Sequence, residues 1–180
     1  MNHRTKIVVL GSALLLCATA ASTAAIASDD APRQREAAAL TGTAKLYRSA
    51  GDDITFSFDA HLAAKDNADP MKATGTFEWS HYLDGEGARA KAKVDCLVTG
   101  GKVAVVSGVI TDSDLPGAEG KRVGITVHDV GRGDRLGYSW ASTGSPVETK
   151  ELPKCVGSAP FEKVRKGTGD FTVVPWRPDF

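Results

Sequence analysis

The chain is poor in the residues that most often carry chemistry. Its 180 residues include three cysteines, four histidines and two methionines. Apart from His3, the histidines are His61, His81 and His128, and no pair stands at the spacing of metal ligands. No metal or cofactor is therefore expected. A G-x-S-x-G nucleophile elbow is absent; the nearest string, Gly144-Ser145-Pro146, lacks a strand-to-helix setting. There is no excess of charge, since 22 Lys and Arg face 22 Asp and Glu. A nucleic acid or an anionic membrane surface demands a basic footprint, so neither is an expected partner. No internal repeat is visible, and no stretch carries convincing helical periodicity.

No apolar run reaches the roughly 20 residues of a membrane-spanning helix. The longest, 7–21, is uncharged and follows Arg4 and Lys6. Small residues come next, and Ala25-Ile26-Ala27 fits the A-x-A pattern of signal-peptidase cleavage. The expectation is a signal peptide over 1–27, secretion, and no stable membrane insertion after cleavage. Three alternatives make different demands on this segment. A retained anchor would need a longer run. A twin-arginine signal would need more than the isolated Arg4. Lipidation at Cys17 would want a small residue before the cysteine, where Leu16 stands.

Loss of 1–27 removes Arg4 and Lys6 and no acid, leaving 20 cationic against 22 acidic side chains, a net of −2. The remaining 153 residues suit one domain with a real core. Cys17 leaves with the leader, so Cys96 and Cys155 remain. In an oxidising compartment two such cysteines are expected to join. The alternative is a pair of buried free thiols.

Residues 28–40 read as a flexible lead-in without an apolar face, and 41–180 as a single β domain. From Thr41 onward the hydrophobic period is two, the mark of half-buried strands. Ile54, Phe56 and Phe58 alternate with Thr55, Ser57 and Asp59. Phe77 and Trp79 share a face of the next strand. Val123, Ile125 and Val127 do so later, and 136–141 reads as a short aromatic strand. Gly100-Gly101 is read as a two-residue hairpin turn, because glycine takes positive φ without steric cost. That register pairs Cys96 with Val105 and puts Val94, Cys96, Val98, Val103, Val105 and Val109 on the core face, with Leu97 and Val106 as exceptions. The fold class expected is all-β: about eight antiparallel strands in an up-and-down barrel or barrel-like sandwich.

The hairpin Cys96-Leu97-Val98-Thr99-Gly100-Gly101-Lys102-Val103-Ala104-Val105-Val106-Ser107-Gly108-Val109-Ile110 resembles a pattern in small secreted actinobacterial β-rich proteins of unknown function. Val127-His128-Asp129-Val130-Gly131 is similar to their next strand, and Cys155 to a second cysteine near the C-terminus. The resemblance covers roughly 77–174. It implies bacterial secretion and this fold, and it implies no activity.

Three strings look functional. His128-Asp129 could be half of a catalytic triad, but neighbouring strand residues point to opposite faces. The run 129–134 superficially resembles a calcium loop, yet lacks the distal bidentate Glu. Arg132-Gly133-Asp134 spells an adhesion tripeptide on what reads as an exposed turn. The aromatics Phe56, Phe58, Phe77, Trp79, Tyr138 and Trp140 sit where they could line one interior, filling it or leaving room for a ligand. The leading expectation is a non-enzymatic module binding a small apolar ligand or a protein. One alternative is a hydrolase or isomerase on a barrel scaffold, centred on His61 or His81 with a carboxylate. The other is a protein-interaction or inhibitor module.

Overall fold

The computed structural model describes residues 36–178. The signal peptide, the lipidation question at Cys17 and the first part of the lead-in lie outside the described residues. The domain is all-β: nine antiparallel strands form one sheet curled into a half-barrel. They are β1 (Glu36–Lys45), β2 (Asp53–Ala63), β3 (Thr74–Leu83), β4 (Glu86–Gly100), β5 (Val103–Ser113), β6 (Arg122–His128), β7 (Arg135–Tyr138), β8 (Glu162–Lys163) and β9 (Asp170–Val174). β1 to β8 follow one another as neighbours, the expected up-and-down order, and β9 returns to pair with β1.

β1 starts inside the stretch read as a lead-in. Ala38, Ala39 and Leu40 are buried there, and the strand pairs with β2 on one side and β9 on the other. Alanines give no amphipathic contrast along a strand, so partners distant in sequence decide this segment's conformation.

The two ends of the curled sheet meet at a seam. Leu46 bridges to Val164, Tyr47 N–H donates to the Lys163 carbonyl at 2.7 Å, and Arg165 N–H donates to the Lys45 carbonyl at 2.8 Å. Buried Asp134, on the β6–β7 loop, accepts from the amides of Val130 and Phe171 at 2.9 Å each.

The concave face is the core. β2 alternates without a break, burying Ile54, Phe56, Phe58, Ala60 and Leu62. β6 contributes Val123, Ile125 and Val127 as expected. The β4–β5 hairpin corrects the sequence reading. The turn is Gly101-Lys102, with Gly100 opposite Val103 and Cys96 opposite Ser107. Gly101 has φ +57° while Lys102 does not have positive φ. That is the type II′ arrangement, glycine first, rather than I′.

A bulge compounds the change. Val94 pairs with Gly108 and Cys96 with Ser107, so Asp95 is an extra residue. A one-residue slip exchanges the two faces of a strand. Leu97, Ala104 and Val106 are therefore buried in the core, whereas Val98, Val103, Val105 and Val109 are half-buried on the convex side. Cys96 is fully buried, but beneath the convex face rather than within the core.

What buries Cys96 is a strap, residues 152–159, laid across the convex side of β4 to β7. The Cys96–Cys155 disulfide fastens it, with Cα atoms 5.3 Å apart. Cys155 N–H also donates to Ser107 Oγ at 2.9 Å, and Arg122 Nη1 donates to the Leu152 carbonyl at 3.2 Å. Asp95, the bulged residue, accepts from both Ser107 Oγ and Arg122 Nε at 2.7 Å. The strap lies so close to the sheet that a Cβ at Gly124 would collide with the Val156 carbonyl. Glycine is needed there for close backbone approach.

Candidate functional site

One rim of the half-barrel holds a cavity of about 550 Å³. It lies where β2 and β4 begin and where β3, β5 and β7 end. At the opposite rim are two 3-10 turns, Ala64–Asp66 and Pro70–Lys72, and Trp176, whose indole N–H donates to the Asn67 carbonyl at 2.9 Å.

The floor of the cavity is aromatic. Phe56, Trp79, Tyr138 and Trp140 line it together with Ile54. The Trp79 and Trp140 ring centroids are 4.7 Å apart, and Tyr138 and Trp140 are 4.9 Å apart. Phe56 stacks on Tyr138 at 5.9 Å. These spacings are those of favourable aromatic pairs, which fix one another's orientation. Four of the six aromatics singled out from the sequence thus share one floor. Phe58 and Phe77 do not line it; they sit a step deeper along β2 and β3, buried in the core, where Phe58 meets Phe171 edge-on at 5.2 Å. Trp140 reaches the floor from a turn, because β7 ends at Tyr138 instead of continuing to 141.

The upper wall is more polar. His81, Leu83 and Glu86 come from the β3–β4 hairpin, Ser113 and Leu115 from the end of β5, and Ser145 and Pro146 from the segment after Trp140. His81 Nε2 lies 2.9 Å from Asp52 Oδ2. A histidine and a carboxylate therefore do meet at this mouth. Neither lining hydroxyl is directed to them. Ser113 Oγ donates to the Arg89 carbonyl at 2.9 Å, and Ser145 Oγ accepts from Val147 N–H at 3.2 Å. No nucleophile–base pair is assembled among these groups, and that pairing is what nucleophilic catalysis requires. Burial pushes the Tyr138 phenol above its ordinary range, against the opposing pull of Arg48, which donates to the phenol oxygen at 2.8 Å.

His61 is elsewhere. It projects from the convex side of β2 and lies 2.8 Å from both Glu36 Oε1 and Asp59 Oδ1. Partial burial works against its charged form, but the hydrogen bonds and charges of Asp59 and Glu36 outweigh this and hold its pKa above the ordinary value. The folded state therefore binds a proton more tightly than the unfolded chain. Its stabilisation is fully present below about pH 6.5 and is lost as pH rises through the higher folded value. Thermal melts from pH 5.5 to 8.5 are expected to show a falling Tm that His61→Gln flattens.

The three functional-looking strings resolve into structure. His128 opposes Val103 on the convex side, and Asp129 is turned to backbone. The carboxylates of the calcium-like run accept from the strand and turn amides of Val130, Gly131, Phe171 and Val173. The adhesion tripeptide is not displayed, since Asp134 is 1% exposed and serves the seam. Among the described residues, no group of three or more His, Cys, Asp or Glu could hold a metal ion, and no helix is long and apolar enough to cross a membrane. The chain matches no protein-family model, no curated protein and no solved structure, so the geometry alone carries the functional reading.

Proposed function

We propose that this protein is a secreted binding module that holds a small, largely apolar ligand in the rim cavity. The observation that carries the reading is the convergence of Phe56, Trp79, Tyr138 and Trp140 beneath a space of about 550 Å³. Small-molecule sites are typically hollows of about 300–1,000 Å³ with mostly apolar linings and a few polar groups. Phe56, Trp79 and Trp140 also belong to the core, at 1%, 8% and 6% exposed, and border the space from beneath. Export is supported by the joined Cys96 and Cys155, which persist as a disulfide in an oxidising compartment.

Protein harvested from culture medium provides the test. Denaturing mass spectrometry is expected to show a chain beginning at Ser28 with a two-hydrogen deficit. Native spectra should show an added mass that denaturation removes. A small aromatic probe, naphthalene, should quench tryptophan emission, and Trp140→Ala should weaken its binding at least tenfold, about 1.4 kcal/mol. Absence of both the adduct and the quenching would overturn the reading.

A further inference from the structure

One charge at the cavity mouth has no partner, and it points to a class of ligand. On β3 and β4 the residues sharing the concave face with Trp79 and Ala90 are His81, Leu83, Glu86 and Ala88. Glu86 is therefore the carboxylate that the β3–β4 hairpin presents to the cavity. Among the described residues it forms no ion pair. Arg89 also borders the mouth, but it alternates to the other face, and its guanidinium is engaged by Asp112 at 2.6 Å. Asp114 accepts from the Arg89 amide at 2.5 Å. Arg48, behind Tyr138, is paired with Glu162 at 2.7 Å. His81 already faces Asp52. Among the described residues that line the cavity, Glu86 is thus the charged group left without a partner.

An anionic ligand entering here would meet Glu86 and, among the described lining residues, no unpaired cation, since Arg89 is held by Asp112 and His81 by Asp52. A cationic ligand would meet the opposite: the Glu86 carboxylate at the mouth and, below it, indole and phenol rings. Tryptophan and tyrosine faces attract organic cations through the ring quadrupole, and quaternary ammonium groups are recognised in this way. We infer that the ligand is a small organic cation, an amine or quaternary ammonium attached to an apolar or aromatic body. The body rests on the Trp79–Trp140 floor and the charged head lies toward Glu86. This rests on the cavity being a binding site, and the experiment separates the two claims.

Three probes of like shape are titrated by tryptophan fluorescence: benzyltrimethylammonium, its uncharged isostere neopentylbenzene, and the anion phenylmethanesulfonate. The expected order is cation tightest and anion weakest, with cation over neutral by about fivefold, the advantage shrinking at high salt. Glu86→Gln should weaken the cation about threefold and leave the neutral probe unchanged, a difference that misfolding would not produce. If the neutral probe binds as tightly as the cation, the charge inference falls and the cavity reading stands. If no probe binds, both fall.

Discussion

Replacing Cys96 and Cys155 together by alanine is expected to lower the stability of the domain by about 4 kcal/mol. The bridge closes a loop with a sequence separation of 59. In the chain-entropy model, a cross-link of that length restricts the unfolded ensemble by about 4 kcal/mol. Cys155 sits at φ +61°, a left-handed conformation that costs an L-residue about 1 kcal/mol, and alanine at 155 keeps that cost. Urea unfolding of oxidised wild type and of the double variant measures the difference. The variant pair Cys96→Ala with Cys155→Gly tests the account further, since glycine occupies positive φ freely. It should recover about 1 kcal/mol over the alanine pair if the strap still lies on the sheet. Ser107, Arg122 and Ser158 continue to hold the strap once the sulfurs are gone, through bonds to Cys155 N–H, the Leu152 carbonyl and the Tyr138 carbonyl. The loss should therefore be global, read as a lower unfolding midpoint, without detachment of the strap from the native sheet. An unchanged midpoint would show that closing this loop does not stabilise the fold.

The same region shows what a linear sequence conveys and what it does not. The alternation of Ile54, Phe56 and Phe58 predicts β2 correctly because both faces of that strand are regular and one is continuously buried. The β4–β5 hairpin carries an equally strong signal, yet from Asp95 onward its two faces are exchanged, while Val94 stays in the core as expected. Two neighbouring glycines permit either of two turns one residue apart, and composition does not separate them. The bulge at Asp95 then leaves both Cys96 and Asp95 serving the convex side, bound to strap and sheet. A run such as Leu97-Val98 is apolar on both sides because both sides are covered, one by the core and one by the strap. Valine-rich strands lose their period when a second layer exists, and the second layer here is an irregular segment with no pattern of its own. The site was legible in part for a related reason. Phe56 and Trp79 lie on regular strands and could be assigned a face. Phe58 and Phe77 share that face, but depth along the barrel axis, which periodicity does not encode, separates floor from core. Trp140 depended on a turn after Tyr138 that no residue pattern announced, and Glu86 carries no signal until the β3–β4 register places it over the cavity.

Asp134 is where the sheet's closure is most exposed to a single substitution, and Asp134→Ala is expected to cost about 3 kcal/mol. The carboxylate is buried at the seam and accepts from Val130 N–H, within its own loop, and from Phe171 N–H, the second residue of β9. These bonds join the β6–β7 loop to a strand that otherwise belongs to the far end of the sheet. Removing the acceptor leaves both amides without their partner, and a buried unsatisfied donor costs about 1–3 kcal/mol. Electrostatics moderates the loss. Asp170 has its pKa raised, first by hydrogen bonding of its protonated form to Asp134 and then by desolvation and the charges of Asp134 and Asp129. The neighbouring Asp134 carboxylate makes Asp170 harder to ionise, a cost that the alanine variant lacks. Asp134→Asn sharpens the test. It removes the charge and keeps one acceptor oxygen, which can serve one amide only, so its cost should be about half that of alanine. Hydrogen exchange locates the effect: protection at Phe171 and Val173 should fall in Asp134→Ala well before protection in β2 and β3 changes. Equal protection in wild type and variant at Phe171 would mean that pairing with β1 alone holds β9 in place, and that the seam is a contact rather than a closure.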